Sequence, residues 1–233
     1  MERGISKVML ALDNMTDQEI REFLNAHGAL LKIVKIGMEA FYRYGPSFVA
    51  EISKQYGLEI FLDLKLHDIP NTVSKAIHSL KGLPIAFLTI HLSGGEKMIR
   101  AAQLAMHESL PKAKLLGVSV LTSLDEEDCQ KIWQRNTDEV FHSLYEMALK
   151  SEIDGIVCSG FELAQAFEIE RANNSQRAPI KVCPGIRFEN STKDDQSRVM
   201  TPKEAFDKGA NYLVMGRAIT TNPKCLTQVE LFT

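Results

Sequence analysis

The chain has 233 residues and a mass of 26.1 kDa, enough for one barrel-sized domain that buries roughly 70% of the surface its unfolded form exposes. Hydrophobic residues at 45% and charged residues at 24% exclude disordered and collagen-like chains. Lys+Arg 27 against Asp+Glu 30 leaves a net charge of −3, and aromatics reach only 7%, so nucleic acid is not an expected partner.

Short apolar runs recur along the chain, each followed by a longer segment of helical periodicity. The runs are 5–12 (ISKVMLAL), 30–36 (LLKIVKI), 58–65 (LEIFLDLK), 84–90 (LPIAFLTI), 115–121 (LLGVSVL), 153–158 (IDGIVC), 179–183 (PIKVC) and 211–215 (NYLVM). Helical spacing marks 17–27, 94–108, 138–150 and 160–171 between them. Strands that are continuously apolar rather than alternating belong to a parallel sheet covered by helices. Eight such units in a chain of this length predict an α/β fold, the closed (β/α)8 or TIM barrel, with an open doubly wound sheet as the alternative. No composition shift or Ser/Gly/Pro-rich linker divides 1–233, so a single domain is expected. The longest strand-free stretch, 184–201, is polar and lies between the seventh and eighth strands, where a lid or binding loop is expected.

Cys129, Cys158, Cys183 and Cys225 are widely spaced, with no CxxC pair and no secreted disulfide framework. The N-terminus enters a strand-like segment without an apolar signal region, and no uninterrupted apolar stretch is long enough to cross a membrane. These features predict a reduced, soluble, cytoplasmic protein without membrane partners.

In a parallel barrel the loops after the C-terminal strand ends build the active site. Read in order, those ends carry Asp13, Lys35, Asp63 with Lys65, His91, Thr122, Ser159, Pro184-Gly185 and Gly216-Arg217. The densest cluster is Phe61 to Thr72, FLDLKLHDIPNT. Strand alternation puts Asp63 and Lys65 on one face and Leu62 and Leu64 on the other. Charges on an apolar strand are costly to bury unless paired, and Lys35 poses the same problem on the neighbouring strand. A simple ion pair at the barrel rim is one reading, and a reactive array is the other. Asp68 before Ile69-Pro70 also suits a helix cap. A metal site of Asp63, His67 and Asp68 is disfavoured by the lysine in its middle.

A second cluster runs through Cys183-Pro184-Gly185-Ile186-Arg187, Gln196 and Gly216-Arg217. Glycine at a strand end lets backbone N–H groups approach an anion, barrels often hold phosphate after strands seven and eight, and the forked arginine cation suits phosphate.

FLDLKLHDIPNT resembles the DxKxxD signature of the orotidine 5′-phosphate decarboxylase family. LALD (10–13), KIG (35–37), HLSGG (91–95), VLTS (120–123), VCSGFE (157–162), CPGIR (183–187), DDQ (194–196), MTP (200–202) and MGRAIT (215–220) are similar to family segments in order and spacing. A sister family that decarboxylates a keto-sugar phosphate with Mg²⁺ shares DxKxxD but typically has glutamate where this chain has Lys35. The resemblance implies a cofactor-free, metal-free decarboxylase that converts orotidine 5′-phosphate to uridine 5′-phosphate. It places Lys35, Asp63, Lys65 and Asp68 in an alternating charge array with Lys65 as the proton donor. Asp13 would contact the ribose or base region, and Thr122 the pyrimidine edge or ribose. Arg187, Gln196, Gly216 and Arg217 would hold the phosphate, with 185–197 as a closing loop. Asp68 and Thr72 would reach the partner's site in a homodimer. A catalytically silent nucleotide-binding barrel is the competing reading. The Asp63, Lys65 and Asp68 set speaks against it, because binding alone does not need an anion facing an anionic substrate.

Overall fold

The structure, a computed structural model, describes residues 4–175, 177–188 and 200–228. Eight parallel strands close in sequence order: β1 (Val8–Ala11), β2 (Ile33–Gly37), β3 (Glu59–Leu66), β4 (Ile85–His91), β5 (Lys114–Val118), β6 (Gly155–Val157), β7 (Ile180–Cys183) and β8 (Tyr212–Met215). Pairing of β1 with β8 completes the ring, so the open-sheet alternative is excluded. The first strand is shorter than its apolar run. Residues Gly4–Lys7 wind into a 3-10 turn, and pairing begins only at Val8 against Leu213.

Helices return the chain after each strand: α1 (Asp17–His27), α2 (Met38–Tyr56), α3 (Pro70–His78), α4 (Gly95–Ser109), α5 (Glu126–Trp133), α6 (Thr137–Lys150), α7 (Leu163–Ala172), α8 (Pro202–Asp207) and the single turn α9 (Arg217–Thr220). Local chemistry sets where several of them start. Thr16 with Glu19, Asn136 with Glu139, and Thr201 with Glu204 form capping boxes, each satisfying two otherwise unpaired donors. Pro70 opens α3, where its missing N–H costs nothing.

Two apolar layers hold the barrel. The larger lies between strands and helices and takes Leu10, Val34, Ile36, Leu62, Leu64, Leu88 and Ile90 from the outward strand faces. The smaller fills the barrel itself with Met9, Ile33, Phe61, Phe87, Leu116 and Val182, against which Val157, Tyr212 and Val214 pack. Every strand thus contributes to the interior, which is a packed plug rather than a pore. Phe87 anchors it, meeting Phe61 and Tyr212 edge-on at ring separations of 6.2 and 5.4 Å.

The outward face of β7 carries one buried charge. Lys181 Nζ lies 2.7 Å from Glu170 Oε1 of α7, and the same carboxylate accepts the hydroxyl of Tyr145 from α6. Burial, then the bond to Glu170, pushes the Tyr145 phenol far above its ordinary value. All four cysteines are buried free thiols, as their spacing suggested. No helix among the described residues is long and apolar enough to cross a membrane.

Candidate active site

Above the apolar plug, at the C-terminal end of the strands, opens a cavity of about 360 Å³. Its floor is Phe61, Val157 and Val214, the upper surface of the plug. Its walls bring together Asp13, Lys35, Asp63, Lys65, Thr122, Arg187, Gly216 and Arg217 from six different strand ends. No short stretch of sequence joins these residues. They meet because strand ends converge on one rim.

The charged groups form a chain. Lys35 Nζ donates to both Asp13 oxygens at 2.9 and 2.7 Å and stands 3.6 Å from Asp63 Oδ2. Lys65 Nζ donates to the same Asp63 Oδ2 at 2.7 Å. Asp63 therefore lies between two ammonium groups. Its other oxygen accepts the Thr89 hydroxyl at 2.9 Å. Burial pushes the Asp63 carboxyl up, but Lys35, Lys65 and the two hydrogen bonds together outweigh it and hold the group below the usual carboxylate range. Asp63 is consequently an anion at neutral pH.

Asp13, Lys35, Asp63 and Lys65 neutralise one another. Arg187 and Arg217 also line the cavity, and their planar, forked guanidinium groups are of the kind that suits an oxyanion. Arg187 follows the β7 turn at Pro184-Gly185, where Gly185 takes φ 76°, a left-handed value suited to glycine. Its N–H donates to the Met200 carbonyl at 3.0 Å, and Ile186 forms an isolated parallel bridge with Met200.

Regular alternation does not describe β3 at its functional end. Between Leu62 and Leu66 the register against β4 slips, which is a bulge, and Lys65 takes φ 48°. Among the described residues Lys65 alone has a positive φ as a non-glycine inside a strand. The expectation that Asp63 and Lys65 share a face holds in effect, since both line the cavity, but the bulge is what re-aims Lys65.

Asp68 and Thr72 are exposed and do not line this cavity. Asp68 Oδ1 accepts the N–H of Ile69 at 2.7 Å, but Ile69 is itself the N-cap of α3 and no side chain caps that helix, so Asp68 is not the helix cap its position before Ile69-Pro70 suggested. Gln196, with most of the expected closing segment 185–197, falls outside the described residues. His67 leaves the strand, is exposed and tilts against His91 at a ring separation of 5.2 Å. Burial, then the nearby His67 and Lys65, lowers the His91 pKa despite the pull of Asp63. Asp63, His67 and Asp68 do not converge as a ligand set. Among the described residues no group of three His, Cys, Asp or Glu side chains is placed to hold a metal.

Two contributors were not singled out from the sequence. Thr89 was hidden inside the apolar run IAFLTIH, yet as its one hydroxyl, at the alternation position of Phe87 and His91, it carried a signal. Gly37 was part of KIG, but a close approach to the Asp13 side chain just past β1 is invisible in a linear pattern.

The model of the family described as "Orotidine 5'-phosphate decarboxylase / HUMPS family" matches residues 6–231. A protein of Fusobacterium nucleatum named orotidine 5′-phosphate decarboxylase is 40% identical over 218 residues, covering 93% of this chain and 90% of that one. One of the same name from Coxiella burnetii is 38% identical over 233 residues, covering 99% and 96%. Among solved structures, orotidine 5′-phosphate decarboxylase from Lactobacillus acidophilus superposes with a TM-score of 0.81 at 33% identity, over 98% of this chain and 99% of that one. With a closed barrel, a charge array on its rim and matches along nearly its whole length, the chain belongs to the orotidine 5′-phosphate decarboxylase / HUMPS family of enzymes.

Proposed function

We propose that this protein converts orotidine 5′-phosphate to uridine 5′-phosphate and CO₂ without a metal or organic cofactor. The observation that carries the reading is the chain Asp13–Lys35–Asp63–Lys65, closed by contacts of 2.7 to 3.6 Å on the rim of one cavity. The other branch of the family would need a cation near these carboxylates. Here Lys35 Nζ already lies between Asp13 and Asp63, at 2.7 and 3.6 Å. That favours the orotidylate reaction.

Loss of CO₂ from C6 of the pyrimidine breaks the C6–carboxylate bond and leaves its electron pair in an sp² orbital with no π-system to receive it. Stabilisation must come from fixed charge, and Lys65 supplies it. The ammonium, held by Asp63, faces the developing carbanion and then gives C6 its proton, to be reprotonated by solvent. Repulsion between Asp63 and the substrate carboxylate, at about 4 Å and an effective dielectric of ~20, amounts to roughly 4 kcal/mol. Enzymes lower barriers by about 8–23 kcal/mol, so repulsion is a minor contributor and the main role of Asp63 is to position Lys65, whose Nζ it holds at 2.7 Å. Arg187, Gly216 and Arg217 take the phosphate, with Gln196 as a further ligand. Thr122 and Asp13 face the base and ribose. Binding energy collected on the phosphate helps to raise kcat.

The active unit is proposed to be a cytoplasmic homodimer in which Asp68 and Thr72 enter the partner's site. Their exposure outside their own cavity, beside the 67% exposed Ile69, supports this arrangement. Two experiments test the reading. Purified protein treated with chelator should still consume orotidine 5′-phosphate, followed by ultraviolet absorbance; no consumption overturns the reaction, and chelator-sensitive consumption overturns its metal independence. Mixing Lys65→Ala with Asp68→Ala subunits should restore about a quarter of wild-type activity, the statistical yield of intact sites in a two-fold dimer. Two inactive variants that stay inactive when mixed would place Asp68 in its own chain's site.

A further inference from the structure

Thr89 sits in the middle of β4 with no exposed surface and does not line the cavity. Its hydroxyl nevertheless makes two bonds to the charge array. The O–H donates to Asp63 Oδ1 at 2.9 Å, and the oxygen accepts the Lys65 backbone N–H at 2.9 Å. A hydroxyl has one donor and two acceptor positions, so both bonds coexist.

Each bond answers a specific geometric need. The bulge in β3 displaces the Lys65 N–H from the regular ladder, and φ 48° at a long side chain is a conformation that costs about 1–3 kcal/mol unless its surroundings hold it. Thr89 provides the acceptor there. On the other side, Thr89 occupies Asp63 Oδ1 and so leaves Oδ2 as the oxygen that both lysines share, at 2.7 and 3.6 Å. One atom thus fixes the carboxylate's orientation and the backbone from which the ammonium is extended.

We propose that Thr89 is a positioning residue for the decarboxylation, its hydroxyl tying the Asp63 carboxylate to the left-handed backbone of Lys65 so that the Lys65 ammonium is held against the reacting carbon. This rests on the reaction proposed above and adds to it a group that never touches substrate. The chemistry it provides is orientation: small displacements of a reacting group of about 1 Å cost on the order of 10²-fold in rate.

Thr89→Val keeps the shape and removes the hydroxyl, and Thr89→Ser keeps the hydroxyl. With orotidine 5′-phosphate, Thr89→Val should lower kcat by about 10²-fold while KM stays within a few-fold, and Thr89→Ser should retain kcat within a few-fold. The acidic limb of the kcat/KM profile should move to higher pH in Thr89→Val, because Asp63 loses a bond that favours its anion. A wild-type kcat and an unmoved limb in Thr89→Val, whatever its melting temperature, would overturn the proposal, as would a Thr89→Ser variant as slow as Thr89→Val. If Thr89→Val does not fold, Thr89→Cys replaces it: a weak donor of similar size should give a lowered kcat, and an unchanged kcat overturns the proposal. Wild-type protein inert toward orotidine 5′-phosphate overturns the parent reaction instead, so the two failures are told apart.

Discussion

A Cβ built on Gly37 would lie 2.6 Å from Asp13 Oδ1 and 3.1 Å from Lys35 Nζ. The end of β2 is therefore bare because the ion pair of Asp13, just past β1, with Lys35 of β2 occupies the space that any larger residue would claim. Gly37→Ala is expected to push the Asp13 carboxylate off Lys35 and to lower kcat/KM by about 10²-fold, in line with the cost of misplacing a site group by an ångström. Asp13 is 42% exposed in its side chain, so the variant's urea midpoint should change little. Steady-state kinetics beside urea unfolding would show whether the damage is confined to the site.

Lys65→Ala tests the proposed fixed charge and proton source together. Turnover should fall by about 10⁴-fold or more, the combined scale of general-acid and electrostatic contributions. Uridine 5′-phosphate should still bind, measured by calorimetry. Substantial residual turnover would take the proton-donor role from Lys65.

Arg217→Ala tests the phosphate end. With the full nucleotide, kcat/KM should fall roughly 10–100-fold, equivalent to losing a charge-assisted hydrogen bond of about 1.5–3 kcal/mol. With the nucleoside lacking phosphate, the variant and the parent protein should be alike. Equal losses on both substrates would place Arg217 elsewhere in the mechanism.

Acid should destabilise the protein in two windows. His91 is held below its ordinary 6.5, first by burial and then by His67 and Lys65. As pH falls below 6.5 the unfolded chain takes up a proton that the folded chain resists, so stability declines. Asp63 is held below 3.8, so its contribution is complete above that value and lost as pH falls through its folded pKa. Melting temperatures recorded from neutral to acidic pH should show both declines, and His91→Asn should flatten the upper one alone.

Lys181→Met leaves the Glu170 carboxylate buried without its cation. Unfolding free energy should drop by about 3–5 kcal/mol, the usual cost of breaking a buried pair from one side. Because Lys181 faces the helical layer rather than the cavity, kcat of the folded enzyme should be unchanged.

Most of the architecture was legible in the chain itself. Eight apolar runs correspond to eight strands, because a strand covered on both faces must be apolar throughout. The capping signals at Thr16, Asn136 and Thr201 are local chemistry and read directly. Asp13, Lys35, Asp63, Lys65 and Arg217 could be picked out because a barrel puts chemistry at strand ends, and sequence position gives the strand ends, whereas Arg187, which its spacing alone marks as an ordinary surface arginine, was singled out only by the family resemblance.

What the tertiary structure decided are relationships between strands. A period of two assigns faces only while the ladder is regular, so the bulge between Leu62 and Leu66 and the left-handed turn at Lys65 could not be read from alternation. Thr89 matters through an oxygen that meets Asp63 and Lys65 across β3 and β4, and Gly37 through the space above Asp13. A linear pattern records which face a residue occupies. Distances between faces are set when the barrel closes, and closure is where this site acquired its geometry.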